Sequence, residues 1–118
     1  MRIVLTLLGV AALAGGSAQA TTVQSGLYGH VTRGPIMPVC IAGQPCTEPA
    51  AGVLLVFSRS GHEVGHVRTR ADGTYRVALT SGAVRVRVSS GRLLDPTTAW
   101  VQRGRYHRVD FSIDTGIR

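Results

Sequence analysis

The chain has 118 residues, of which 44% are hydrophobic and 16% charged, and this is enough for one small domain. All thirteen of its positive side chains are arginine, since the sequence contains no lysine, and six acids leave a formal net charge of +7. The absence of lysine excludes Schiff-base catalysis, pyridoxal phosphate attachment and a P-loop, and the absence of asparagine excludes N-glycosylation.

The first twenty residues, 1–20, have the three-part layout of a secretory signal peptide. Arg2 supplies the positive start, an apolar run follows at residues 3–14, and Ala18 and Ala20 are the small residues that a signal peptidase reads. A run of about twelve apolar residues is too short to span a membrane, which takes roughly twenty. We therefore expect export of the chain and cleavage after Ala20.

The mature domain, residues 21–118, contains no second long apolar run. We therefore expect no membrane span in it and a location that is either secreted or in the cell envelope. Its roughly one hundred residues are enough for one hydrophobic core, but with a small margin of stability. A covalent brace would contribute appreciably to a domain of this size.

Cys40 and Cys46 are predicted to form that brace. In an exported protein, two cysteines at this spacing most simply form a disulfide, and closing so small a loop contributes about 2 kcal/mol. A thiolate metal site is the alternative, and it would need two further ligands from the four histidines, His30, His62, His66 and His107. His62 and His66 fall across a glycine turn into a strand, where residues four apart are more than about 10 Å from each other. We expect a disulfide, no metal and no cofactor.

After the signal peptide, apolar and polar residues alternate in short runs separated by Gly, Pro, Ser and Asp, which is typical of strands and turns. No segment there has the period of a helix. A loop at residues 33–49 carries four prolines and both cysteines, which stiffen it. The predicted strands are residues 27–32, 51–59, 63–69, 74–79, 84–88, 98–102 and 106–113. This pattern predicts an all-β fold, a seven-stranded antiparallel Greek-key sandwich.

Alternation assigns a buried and an exposed face to each predicted strand. The residues expected on the buried faces are Tyr75, Val77, Leu79, Val84, Val86, Val88, Val109, Phe111 and Ile113. The single tryptophan, Trp100, fits either a core position or an exposed contact, and a packed position is favoured for a lone aromatic residue.

Four arginines take outward positions on the predicted strands: Arg76, Arg85, Arg87 and Arg108. If the loop at residues 80–83 closes a hairpin, Arg76 stands opposite Arg87. Like charges that face each other lower stability unless an anion offsets them, so these four residues form a possible anion-binding face. The alternative is a solvated surface that keeps the protein soluble. The sequence contains no nucleic-acid-binding motif.

Residues 61–77, GHEVGHVRTRADGTYRV, resemble the signature hairpin of carboxypeptidase regulatory-like domains, in which an Asp-Gly turn leads to an aromatic residue and an apolar strand. Here that turn is Asp72-Gly73. The segments GLYGHV at residues 26–31 and PAAGV at residues 49–53 match the opening pattern of the same family. The resemblance covers most of the mature chain and implies a transthyretin-like, or prealbumin-like, β-sandwich. The cysteine loop and the C-terminal sequence also look like those of small exported bacterial proteins.

The resemblance implies three functions, of which the first is a non-catalytic extracellular module that binds a protein or carbohydrate partner or has a structural role. The second is that of the transthyretin-related hydrolase of 5-hydroxyisourate, whose catalytic residues are two histidines and an arginine. In this chain, His30 and His107 lie on the first and last predicted strands and could act as base and acid. The third is binding of an acidic polymer, such as nucleic acid, a cell-wall polymer or an anionic membrane surface, through the arginine-rich face.

We expect the first of these functions and no enzymatic activity. The chain ends Thr-Gly-Ile-Arg, where the hydrolase family has Tyr-Arg-Gly-Ser, and this disfavours the second. Collagen-adhesin B-type sandwiches look similar as well, but they are stiffened by an isopeptide bond from lysine, which this chain lacks.

Export and oxidation are both testable on the secreted protein. Its intact mass should correspond to residues 21–118 less two hydrogen atoms, because the signal peptide is removed and the two thiols are joined. Mass spectrometry with and without reduction measures both differences. A free thiol in the unreduced protein would contradict the disulfide, and a retained N-terminus would contradict cleavage after Ala20.

Overall fold

The computed structural model describes residues 24–117, and all of the secondary structure there is β. The strands are β1 (Gly26–Gly34), β2 (Glu48–Pro49), β3 (Leu54–Arg59), β4 (His62–Arg68), β5 (Thr74–Ala78), β6 (Gly82–Val88), β7 (Leu94–Asp95), β8 (Thr98–Val101), β9 (Tyr106–Arg108) and β10 (Phe111–Asp114). The predicted signal peptide and its cleavage site lie outside the described residues. Among those residues, no helix is long and apolar enough to cross a membrane.

The strands form two sheets that pack face to face, so the predicted all-β sandwich is confirmed. In the β1 sheet, the order is β2-β1-β10-β7, and β5 and β9 also pair with β1. In the β3 sheet, the order is β4-β3-β6-β8. Each of the seven predicted strands overlaps a strand of the structure, but the last is divided into β9 and β10, and the two-residue strands β2 and β7 are additional.

The prediction that all strands are antiparallel is wrong for the last part of the chain. β9 and β10 run parallel to β1 in one continuous register, with Gly26 opposite Tyr106 and Gly34 opposite Asp114. Both pairs join residues 80 positions apart. The alternation of apolar and polar residues defines the face of a strand but not the direction of its neighbour, so the sequence pattern carries no signal for this pairing.

The predicted hairpin between Arg76 and Arg87 is also wrong. β5 pairs with β1, where Arg76 lies opposite Tyr28, and β6 pairs with β3, where Arg87 lies opposite Val56. The segment at residues 79–81 therefore crosses from one sheet to the other instead of closing a hairpin. Small and polar residues allow either kind of connection, and this is why the sequence does not distinguish them.

The guanidinium group of Arg59, at the end of β3, holds this crossover in place. Its Nε donates to the carbonyl of Ala83 at 2.9 Å and its Nη1 donates to the hydroxyl of Thr80 at 2.5 Å. Its Nη2 donates to the carbonyl of Thr80. Arg59 is thus committed to the fold, and its donors are largely used.

Three aromatic rings form the middle of the core. The ring of Tyr75 lies 6.4 Å from that of Phe57 and 5.6 Å from that of Phe111, measured between centroids. Its hydroxyl donates to the carbonyl of Val109 at 2.6 Å, so the polar end of a buried ring is satisfied. Burial and the nearby charge of Asp110 both raise the pKa of the Tyr75 phenol, which therefore stays neutral. The buried core is completed by Leu27, Val31, Ala50, Leu55, Val77, Leu79, Val84, Val86, Val88, Leu94, Val101 and Ile113.

The predicted disulfide between Cys40 and Cys46 is present, with a Cα–Cα distance of 5.5 Å. It lies in the loop between β1 and β2. The N–H of Ile36 donates to the carbonyl of Cys46 at 2.9 Å, and this hydrogen bond ties the start of the loop to its end. The disulfide and this bond together hold an otherwise irregular segment beside the end of β1.

Every polar atom of Thr69 forms a hydrogen bond to the segment that connects the two sheets. Its N–H donates to Val53 and its carbonyl accepts from Gly52, while its hydroxyl donates to Ala50 and accepts from the N–H of Val53. The side chain is 4% exposed, so water cannot replace these partners. Thr69 thus binds Ala50, Gly52 and Val53, three residues of the segment between β2 and β3.

Replacing Thr69 with valine should destabilise the protein by about 2 kcal/mol, because the change keeps the shape and leaves buried N–H and carbonyl groups without a partner. Urea unfolding of Thr69→Val against the wild type measures this. Thr98→Val is the matched control, because Thr98 is exposed on β8, and it should change the free energy of unfolding by less than about 0.5 kcal/mol. Equal effects of the two substitutions would contradict the role assigned to the Thr69 hydroxyl.

Candidate anion-binding site

The structure divides the four predicted anion-binding arginines between two surfaces. Arg76 and Arg108 lie on the outer surface of the β1 sheet, on β5 and β9, whereas Arg85 and Arg87 lie on the outer surface of the β3 sheet, on β6. A single arginine face is therefore not formed, because the chain crosses between the sheets after β5. We call the outer surface around Arg76, Arg108, Tyr28 and Tyr106 the tyrosine face, and that around Arg85, Arg87 and Trp100 the tryptophan face.

The centre of the tyrosine face is a row of three side chains on three adjacent strands. Tyr28 on β1 lies directly opposite Arg76 of β5 on one side and Arg108 of β9 on the other. Tyr28 points outward, with 38% of its surface exposed, because its neighbour Leu27 points into the core. Adjacent strands are about 5 Å apart, so the two arginines flank one phenol ring and lie about 10 Å from each other at the backbone.

A glycine of β1 allows a second tyrosine to join this row. The guanidinium carbon of Arg76 lies 3.7 Å from the centre of the Tyr106 ring, although Arg76 and Tyr106 are on strands separated by β1. Gly26 lies opposite Tyr106, and a Cβ on Gly26 would come within 2.4 Å of the tyrosine ring. The ring can cross β1 only because this position has no side chain. The cation–π contact holds Arg76 in place without neutralising its charge.

A shallow cavity of about 400 Å³ opens beside the row. Its polar lining comes from Tyr28, His30, Arg70, Thr74, Arg76 and Arg108. Three guanidinium groups thus line one cavity, and guanidinium groups bind carboxylate, sulfate and phosphate oxygens with charge-assisted hydrogen bonds. Arg70, Tyr28 and Tyr106 are not among the residues that the sequence pattern singles out. For Tyr28 and Tyr106 the outward position in the strand was a usable signal, but Arg70 lies in no strand, and the strand pairing that brings the three together was not visible in the sequence.

Asp110 positions Arg108 at the edge of this cavity. Its Oδ1 accepts from the Arg108 Nε at 3.1 Å and from the backbone N–H of His30 at 2.9 Å. Burial acts to raise the pKa of Asp110, but the hydrogen bonds from His30 and Arg108 outweigh it and lower the pKa below the usual aspartate value. Asp110 is therefore ionised at neutral pH, and it holds one edge of the guanidinium group while both Nη atoms stay available to a ligand.

The Asp-Gly turn lies beside the cavity, and Arg70 and Thr74, which flank the turn, belong to its lining. Asp72 accepts from the hydroxyl of Thr74 at 2.6 Å and from its N–H at 3.0 Å, and these bonds lower the pKa of the Asp72 carboxyl. Nη1 of Arg70 donates to the same hydroxyl at 3.2 Å. The ring Nε2 of His30 lies 2.7 Å from the carbonyl of Asp72. The turn and its arginine are thus held at a fixed position next to β1.

The two histidines of the hydrolase alternative do not come together. His107 lies opposite the inward-pointing Leu27, whereas His30 alternates with the buried Val31 and faces outward. They extend to opposite sides of the β1 sheet, so they cannot act as base and acid on one substrate. Nδ1 of His66 lies 2.7 Å from a carboxylate oxygen of Glu63. Within residues 24–117, no three side chains of the metal-binding types are grouped.

The tryptophan face carries the second pair of arginines. Trp100 on β8 is 60% exposed, so the favoured prediction of a packed tryptophan is wrong. It lies opposite Ala83 of β6, whose small side chain leaves the indole ring uncovered on that side. Arg85 is two residues further along β6 on the same surface, diagonal to the ring.

A second cavity, of about 460 Å³, lies between the sheets at the end where β1 and β10 finish. Its floor is apolar and includes Ile36, Val53 and Ile113, and its rim carries Arg33 and Arg92. Both rim arginines are engaged: Nε of Arg33 donates to Glu48 at 2.7 Å, and Nη1 of Arg92 donates to the carbonyl of Thr115. Two arginines and Glu48 line this cavity, whereas three arginines and no carboxylate line the cavity on the tyrosine face, which is therefore the more basic of the two.

No protein-family model matches the chain, and no curated protein matches it. Among solved structures, the chain is similar to GBS52, the minor pilin in the gram-positive pathogen Streptococcus agalactiae. The identity is 13% and the TM-score 0.48, and the similar region covers 92% of this chain and 49% of that chain. This chain thus spans about half the length of the pilin. The fold and surfaces define the class of the present protein as an all-β sandwich with two arginine-bearing outer faces.

The pKa of Asp110 tests the geometry of the tyrosine face. Arg108→Gln should raise it, because a guanidinium hydrogen bond to the carboxylate is lost. Above its lowered pKa the Asp110 carboxylate stabilises the fold, and this contribution disappears as the pH falls through that pKa. NMR titration of the side-chain carboxyl carbon measures the value directly. Arg70→Gln, which removes a guanidinium group from the same cavity, is the control and should leave the titration of Asp110 unchanged, and equal shifts would contradict the assigned contact.

Proposed function

We propose that the mature chain is an exported, non-catalytic, prealbumin-like β-sandwich module that binds an acidic polysaccharide outside the cytoplasm through its tyrosine face. The observation that carries this proposal is the row in which Tyr28 lies between Arg76 and Arg108 on three adjacent strands. The prealbumin-like assignment is supported by the Asp72-Gly73 turn and by the β1 sequence that lies against it.

The chemistry of the row suits an anionic sugar chain. Guanidinium groups pair with carboxylate or sulfate groups in a bidentate geometry, and the faces of tyrosine rings provide flat apolar surface for the C–H faces of sugar rings. Arg76 and Arg108, about 10 Å apart at the backbone, can contact successive charged groups of one chain. The surface is shallow and open, which suits a polymer that passes across it.

The expected compartment supports a polysaccharide over nucleic acid. A disulfide between Cys40 and Cys46 persists in an oxidising environment, and the first twenty residues have the layout of an export signal. Acidic glycans and cell-wall polymers are the abundant polyanions of that environment. The histidines on opposite sides of the β1 sheet support binding in preference to hydrolysis.

Retention on immobilised heparin tests the proposal. The double substitution Arg76→Ser with Arg108→Ser should weaken affinity about tenfold, since two exposed ionic contacts of about 0.7 kcal/mol each are removed. The matched control is Arg103→Ser with Arg105→Ser, which removes the same charge from the turn between β8 and β9. Affinity is measured over a range of salt concentrations, because ionic binding weakens as salt rises.

Two results would overturn the proposal. If the wild type elutes from heparin at low salt, it does not bind an acidic polysaccharide. If the control variant loses as much affinity as the variant of the tyrosine face, then retention reflects net charge and not this site. Thermal unfolding of both variants checks that they are folded.

A further inference from the structure

The tryptophan face repeats the chemistry of the tyrosine face on the other side of the molecule. Each face has two outward arginines and an exposed aromatic ring on a neighbouring strand. On the tryptophan face, Arg85 and Arg87 lie on one strand, two residues apart, which places them roughly 7 Å from each other at the backbone. Trp100 lies on the next strand.

The two arginines of the tryptophan face have unused donors. Both arginines belong to the hydrogen-bonded ladder between β6 and β3 through their backbones. Among the ion pairs within residues 24–117, neither guanidinium group has a carboxylate partner. By contrast, Arg59 at the end of the neighbouring strand is bonded to two residues of the crossover. An anion that arrives at Arg85 and Arg87 therefore displaces only water.

The surface beneath these arginines is closed and apolar. Val56 of β3 points to the outside of the sheet, because Leu55 and Phe57 on either side of it point into the core. It is nevertheless 4% exposed. Its direct cross-strand neighbours are Arg87 and His66, so the apolar stem of Arg87 and the histidine ring must cover it. This packing limits the freedom of the Arg87 side chain before any ligand binds.

The two faces point in opposite directions. The sheets of a sandwich are about 10 Å apart, and the side chains of each outer surface add to that separation. A short anionic oligosaccharide on the tyrosine face cannot reach the tryptophan face. Ligands on the two faces would therefore be separate molecules, or separate segments of a long one.

We propose that the tryptophan face is a second binding site for acidic polysaccharide, so that one protein molecule holds two chains and bridges them. This inference rests on the proposed function of the tyrosine face and extends it from one site to two. A protein with two such sites gathers anionic polymer chains and gains effective affinity on a dense layer of them, where the second contact is intramolecular.

The stoichiometry of a short probe distinguishes one site from two. A heparin hexasaccharide is titrated into the secreted protein by isothermal titration calorimetry. The wild type should bind two per chain. Arg85→Ser with Arg87→Ser should bind one, Arg76→Ser with Arg108→Ser should bind one, and the control, Arg103→Ser with Arg105→Ser, should bind two.

The single tryptophan reports on the second site alone. The sequence has one tryptophan, so a change in its fluorescence follows occupancy of the tryptophan face. The fluorescence change on addition of the hexasaccharide should persist in the variant that lacks Arg76 and Arg108. It should disappear in the variant that lacks Arg85 and Arg87, although that variant still binds one probe by calorimetry. With long heparin, the wild type should raise light scattering and both double variants should not.

The outcomes separate the two proposals. Binding of one hexasaccharide per wild-type chain, lost only when Arg76 and Arg108 are replaced, overturns the second site and leaves the tyrosine face intact. Binding that is lost only when Arg85 and Arg87 are replaced overturns the function proposed for the tyrosine face. No binding to the wild type overturns both. Equal affinity for a DNA duplex of matched charge overturns the assignment to polysaccharide.

Discussion

The parallel pairing of β1 with the end of the chain is the constraint on which the other features depend. The nine residues of β1 have neighbours on both edges: β5 and β2 on one side, β9 and β10 on the other. This pairing closes the β1 sheet around a central strand, and it places Arg108 next to Tyr28. It also places Asp110 where the N–H of His30 reaches it. Without this parallel pairing, β1 would have no neighbour along one of its edges, and the tyrosine face would lack Arg108.

Arginine has two separate roles in this protein, and both use the N–H donors of its planar guanidinium group. Some arginines bond to backbone carbonyls and join loops: Arg59 reaches Thr80 and Ala83, Arg68 reaches Gly52, and Arg92 reaches Thr115. Arg76, Arg85, Arg87 and Arg108 stand on the outer faces of the sheets, whereas Arg103 and Arg105 lie in the turn between β8 and β9. The high positive charge is thus partly committed to the fold, and four of the remaining arginines are paired on the two faces.

Much of the fold could be predicted from local pattern, while the site could be predicted only in part. Alternation identified the strands and placed Tyr75, Val84 and Phe111 in the core, and the cysteine spacing identified the disulfide. The outward direction of the four arginines was also correct, because parity is a local property. Their grouping was wrong, because the turn at residues 80–83 is compatible with a hairpin and with a crossover. The exposed Trp100 was missed because a lone aromatic residue in a short strand fits both surfaces.

The sequence by itself determined where the seven longer strand segments lie, which residues of the core point inward and which two cysteines join. These properties depend on residues that are close in the chain. Only the tertiary structure decided that β1 lies beside residues 106–114, that Tyr106 crosses β1 at Gly26, and that the arginines form two pairs instead of one face. The physical reason is that pairing between strands is set by the packing of the whole sandwich, and residues that meet there are up to 80 positions apart.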